Sequence, residues 1–161
     1  MRTELESLIQ QYRDVQNGVL WMGANYLRRF NELEEKDAFS RPLPDLHSVA
    51  EILSHLTLWR QETILKIQTG SGSKTEECEE NWLPNEKLIP LGWSTVRANY
   101  EESLETIIDL LADQDDSFLD QEYFDIDFKG HYPYRFVLQG MLHHDLYHLG
   151  QIGLILKYLK H

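Results

Sequence analysis

The feature that most narrows the fold lies near the C-terminus, in the run from Tyr134 to Leu159, which reads as one long helix. Val137, Met141, His144, His148, Ile152, Ile155 and Leu159 recur at intervals of three and four residues. That is the inward stripe of a helix packed in a bundle. Two of its positions are histidines. A buried ring nitrogen is costly unless it finds a partner, so the partner helices must bring something to His144 and His148. The pair is four residues apart, one turn along the same face. Such spacing lets two imidazoles converge on one metal ion. It also arises by chance, and a lone buried histidine is more often a hydrogen-bonded core residue.

Other segments supply the partners. Leu5 to Asn17 reads as a first helix, with Leu8, Tyr12 and Val15 on one side. Gly18 and Gly23 then bracket Val19-Leu20-Trp21-Met22, a break before helicity resumes through Tyr26, Leu27 and Phe30. Trp21 is placed either at a pocket mouth or in the core, with core packing the commoner fate of an indole. Arg41-Pro42-Leu43-Pro44-Asp45 is a linker, its prolines disfavouring helix at the residues before them. Ser48-Val49-Ala50-Glu51 has the form of a capping box and opens a second helix. That helix runs to Thr69, where Gly70-Ser71-Gly72 ends it, and carries Ile52, His55, Leu56, Trp59 and Thr63 on its apolar face.

Residues 70 to 93 form a long polar crossover holding Glu76-Glu77-Cys78-Glu79-Glu80 and Trp82-Leu83-Pro84, the kind of loop that often covers a site. A third helix is expected from Ser94 to Ala112, and a short hairpin over Tyr123 to Tyr132, turning at Lys129-Gly130. Pro133 is suited to the first position of the last helix. The fold expected is all-α: a four-helix bundle in a single domain spanning 1–161.

Charge removes several function classes. The formal net charge is -12, with no basic block anywhere, which argues against nucleic-acid partners and attraction to anionic membranes. No apolar run approaches membrane-spanning length. The N-terminal residues lack a signal-peptide core, and the single cysteine, Cys78, excludes an internal disulfide. A cytoplasmic location is expected.

His55 lies on the apolar face of the second helix, so three imidazoles can meet if that helix neighbours the last one. Three neutral nitrogen donors suit zinc, nickel, cobalt or ferrous iron. Three protein ligands leave positions open for water or substrate, the catalytic rather than the structural pattern.

Ser54-His55-Leu56 with Trp59, together with His144-Asp145-Leu146-Tyr147-His148-Leu149-Gly150-Gln151-Ile152, resembles the two signatures of the DinB-like (DinB/YfiT) four-helix-bundle superfamily. The resemblance spans nearly the whole chain, and its H-x-x-x-H-x-G-Q element is fairly specific. It implies an up-down-down-up bundle, often dimeric, with His55, His144 and His148 binding a divalent transition metal (Zn, Ni, Fe, Mn or Co). Characterised relatives include isomerases and S-transferases that use low-molecular-weight thiols, and metal-dependent hydrolases. Two positions depart from the common pattern. Leu149 stands where many members have a basic residue, and Asp145 where they often have Glu. Asp145 is therefore the candidate for supporting a ligand from behind. Gly150 in mid-helix suggests close approach of a neighbouring helix.

The leading expectation is a metal-dependent enzyme acting on a small molecule, with the metal activating a thiol or water for S-transfer or hydrolysis, in a homodimer. Trp21, Trp59 and Trp82 are the candidate pocket residues, although aromatic residues fill cores more often than they bind ligands. No Ser-His-Asp set, phosphate-binding glycine loop or dinucleotide fingerprint competes with this reading. The alternative is a non-catalytic bundle, either binding a small ligand or serving as a structural dimer.

Overall fold

The Ser48–Glu51 capping box forms as its residues dictate. The Ser48 hydroxyl accepts from the Glu51 N–H at 3.1 Å, and the Glu51 carboxylate accepts from the Ser48 N–H at 2.9 Å. The computed structural model describes residues 2–160. Its helices are α1 (Thr3–Asn17), α2 (Tyr26–Glu32), α3 (Val49–Thr69), α4 (Asn85–Leu88), α5 (Trp93–Leu111) and α6 (Tyr134–Leu159). Helix α3 ends at Gly70, whose φ of 78° is the left-handed conformation that favours glycine. Pro133 is the residue before the last helix rather than its first, in extended backbone.

Between α5 and α6 lies an antiparallel hairpin of β1 (Glu122–Asp125) and β2 (Gly130–Pro133), with Tyr123 opposite Tyr132. The Phe124 N–H donates to the Gly70 carbonyl at 2.8 Å, which ties the hairpin to the end of α3. The expected crossover is not unstructured: it contains a 3-10 turn at Glu79–Trp82 and the short α4.

Helix α3 packs against α5 and α6, while α6 also packs against α1 and α2. With neighbours on two sides, α6 buries a broader arc than a single stripe. Leu138, Leu142, Asp145, Leu149 and Leu156 join Met141, His148, Ile152 and Ile155 inside, whereas Val137, His144 and Leu159 are only half-buried. Leu149 is thus a core residue. Gly150, in contrast, is exposed, and a Cβ there would meet nothing within 4 Å, so no neighbouring helix accounts for it. None of the helices among the described residues is long and apolar enough to cross a membrane.

The widened arc places Asp145 in the core. Its carboxylate accepts from the Arg60 guanidinium at 2.7 Å, and Arg60 also donates to the Tyr100 carbonyl at 2.8 Å while lying over the Tyr100 ring. Gln16 reaches the same carboxylate at 3.4 Å, and the Tyr26 hydroxyl donates to the Asp145 carbonyl at 2.7 Å. Burial pushes the Asp145 carboxyl up and Arg60 opposes it. Asp145 therefore pins α1, α2, α3 and α5 to α6, and its side chain turns to Arg60 rather than to a histidine, against the expectation that it backs a ligand.

Removing one member of a buried ion pair strands the other charge. Asp145→Ala should lower unfolding free energy in urea by about 3–5 kcal/mol; a loss below about 1 kcal/mol would mean the pair is no anchor.

Candidate metal centre

Helix α3 presents His55, Trp59, Thr63 and Lys66 along one face, and α6 presents His144 and His148 toward it. The three rings meet through their Nε2 atoms. His55 Nε2 and His148 Nε2 each lie 2.9 Å from His144 Nε2. Potential ligand atoms of all three residues fall within 4.8 Å of one another.

The opposite ring nitrogens decide which tautomers are present. His55 Nδ1 is 2.9 Å from the Asn81 carbonyl oxygen, which can only accept, so Nδ1 carries the proton and Nε2 offers a lone pair. His148 Nδ1 is 2.6 Å from Gln151 Oε1, with the amide oxygen assigned toward the ring, which sets the same tautomer. Two lone pairs thus face His144 Nε2, which in a neutral ring holds at most one hydrogen. At least one of the two close nitrogen–nitrogen contacts has no proton in it. A cation among the three nitrogens resolves that conflict, and neutral imidazole is the donor form a transition metal takes. The residues fit a divalent metal ion.

Electrostatics keep the rings neutral. His144 is lowered to about 3, first by burial and then by the proximity of His148, His55 and Arg60. His148 falls to about 4, chiefly through burial and then His55, with Gln151 opposing. Burial also lowers His55, against its hydrogen bonding to Asn81.

The crossover closes over this cluster. Trp82 is sandwiched between His47 and His55, with ring centroids 3.7 and 3.9 Å away and planes within 5° of parallel. Asn81 accepts from the Trp59 indole N–H at 2.9 Å and donates to the Glu76 carbonyl at 2.7 Å, so the same residue holds the loop and orients His55. A cavity of about 490 Å³ opens beside the cluster, with His55, His144, Trp59, Trp82 and Met141 among its walls.

Of the residues singled out from sequence, His55, His144, His148 and Trp59 come together here. Asp145 points into the core, and Trp21 stands fully exposed in the loop between α1 and α2, outside the cavity lining. That loop gives the indole nothing to pack against, which overturns both expected placements. The parts missed were Asn81 and His47, whose roles depend on the path of the crossover; Trp82 was among the candidate pocket residues and does line the cavity, but its stacking between His47 and His55 was not foreseen. Gln151 was visible three residues after His148, but its partner was not.

The chain belongs to the DinB superfamily, whose family profile matches residues 19–152. It is similar in fold to a DinB-like protein, YjoA, from Bacillus subtilis, with a TM-score of 0.61 at 15% identity, covering 98% of this chain and 93% of that one. No curated protein matches the chain.

Depressed histidine pKa values carry a definite sign. Below about pH 6.5 the unfolded chain takes up protons that folded His144 and His148 refuse until about pH 3 and 4, so metal-free stability is lost as pH falls through that window. Each histidine contributes a slope of up to about 1.4 kcal/mol per pH unit there. In urea titrations of metal-free protein, His144→Gln should flatten the decline between about pH 6.5 and 4; parallel curves for the two proteins would contradict the assignment.

Proposed function

We propose that this protein is a metal-dependent enzyme that acts on a small molecule, with His55, His144 and His148 holding one divalent transition metal. The observation carrying this reading is the convergence of three Nε2 atoms, two of them 2.9 Å from the third, at the wall of an open cavity. A structural site closes its metal with four protein ligands, whereas three beside a cavity leave room for a reacting group. When bound, the metal would supply Lewis acidity, lowering the pKa of a water or a low-molecular-weight thiol so that it becomes a nucleophile near neutral pH. Hydrolysis and S-transfer are the reaction classes this supports, on an up-down-down-up bundle in a single domain.

The protein's own residues do the rest. Asn81 and Gln151 hold the Nδ1 protons of His55 and His148, so both rings face the site as lone-pair donors without rearranging. Trp82 stacks on His55, limits its rotation and excludes water from one side. Trp59 and Met141 offer apolar walls to the substrate. On the outer face of α6, Tyr147, Leu154 and Tyr158 are more than half exposed and share a side with the open Gly150. That surface supports a homodimer through α6.

Calorimetric titration with zinc, nickel, cobalt, manganese and ferrous iron should find about one equivalent of at least one of them bound, and His148→Ala should weaken it by at least about 10-fold. Sedimentation of the same samples should read twice the chain mass. Absence of binding by every metal would remove the catalytic reading, and a monomer would remove only the dimer.

A further inference from the structure

Helix α6 shows solvent a second stripe that the subunit itself does not use. Phe136, Gly140, Tyr147, Gly150, Leu154 and Tyr158 are all exposed. Their spacing keeps them on one side of the helix over about 33 Å. Two are mid-helix glycines, which weaken a helix, and a Cβ at either would meet nothing within 4 Å. No contact inside the subunit explains them. The N-terminal end of the stripe is also the rim of the cavity, because Phe136 and Gly140 line it. There the Phe136 ring meets Tyr132 and Phe128 of the hairpin, with centroids 4.7 and 5.7 Å away, so the apolar surface continues past the helix.

Charge selects the occupant. The chain has 27 acidic residues against 15 basic, so two copies repel each other in most orientations. The one acidic residue of α6 is Asp145, and it is buried. The basic residues of the helix are Arg135, already paired with Glu4 and Asp120, and Lys157. A second copy of this chain meets no carboxylate of α6 along this stripe, whereas a basic partner would be drawn to the acidic faces.

The stripe is also complementary to itself. If two α6 helices cross antiparallel about a two-fold axis at Tyr147, residues equally far on either side of Tyr147 oppose each other. Gly140 and Leu154 stand seven residues to either side, and Phe136 and Tyr158 eleven. A leucine then enters the notch at each Gly140, two aromatic rings meet at each end, and His143 falls beside Gly150. A parallel pair would set each glycine against itself. An antiparallel pair centred on Asp145 would set Gly140 against Gly150.

We propose that two copies pair antiparallel through α6 with Tyr147 on the axis, so that the partner's Leu154 and the partner's Tyr158 pack on Gly140 and Phe136 and form the outer wall of the cavity. This rests on the homodimer reading and deepens it: each cavity is complete only in the dimer.

Cross-linking tests the register in a Cys78→Ser background. Gly140→Cys/Leu154→Cys should give a covalent dimer with diamide, and Tyr147→Cys should join to itself. Positions 140 and 154 lie about 21 Å apart on one helix, too far to bond within a chain. Val137→Cys in the same background reads the wall, since Val137 lines the cavity off the stripe. Adding Leu154→Glu, at an exposed position, should yield monomers and speed the reaction of that thiol with 4,4'-dithiodipyridine at least about threefold. Cross-linking of the pair no stronger than of its single variants, or a labelling rate unchanged in Leu154→Glu, overturns the proposal. Sedimentation of the parent separates the failures. A dimer that does not cross-link keeps the homodimer reading and discards this register, and a monomer discards both. The metal reading is judged separately by zinc titration of the same parent.

Discussion

Two imidazole lone pairs directed at a third ring nitrogen 2.9 Å away are an unfavourable arrangement without something positive between them. The fold maintains it all the same. Asn81 and Gln151 fix the protons on the far side of His55 and His148, so neither ring can relieve the conflict by changing tautomer without losing its hydrogen bond. Burial then denies the alternative of protonation, since the charged imidazolium is the form that desolvation penalises. What remains is a set of neutral donors for a cation.

Helical geometry supports this at each level. The capping box starts α3 at Val49, which sets the phase that puts His55, Trp59, Thr63 and Lys66 on one face. The Arg60–Asp145 pair, one residue on from Trp59 and from His144, locks α3 to α6. It gives the site a rigid base from the interior, while the crossover closes it from outside through Asn81 and Trp82. Residues adjacent in sequence thus take opposite tasks. His144 faces the cavity, and Asp145, about 100° further around the helix, faces the core.

Much of this was legible from residue spacing. The capping box, the glycine stop at Gly70, the hairpin turn at Lys129-Gly130 and the three histidines all follow from local rules or helical phase. The breadth of the buried arc on α6 did not, because it depends on α1, α2 and α3 flanking that helix on two sides. For the same reason Asp145 read as support for a ligand when it is half of a core ion pair. Trp21 was misplaced because an indole usually finds burial, yet the short loop carrying it offers none. The stacking of Trp82 on His55 and the role of the Asn81 carbonyl belong to the irregular crossover, whose path no periodicity encodes.

The most direct measurement is X-ray absorption at the metal edge of protein loaded with one equivalent of zinc. The account predicts about three imidazole nitrogens at about 2.0–2.1 Å, completed by oxygen from solvent. Two or fewer imidazoles, or a sulfur from Cys78 in the coordination sphere, would contradict it.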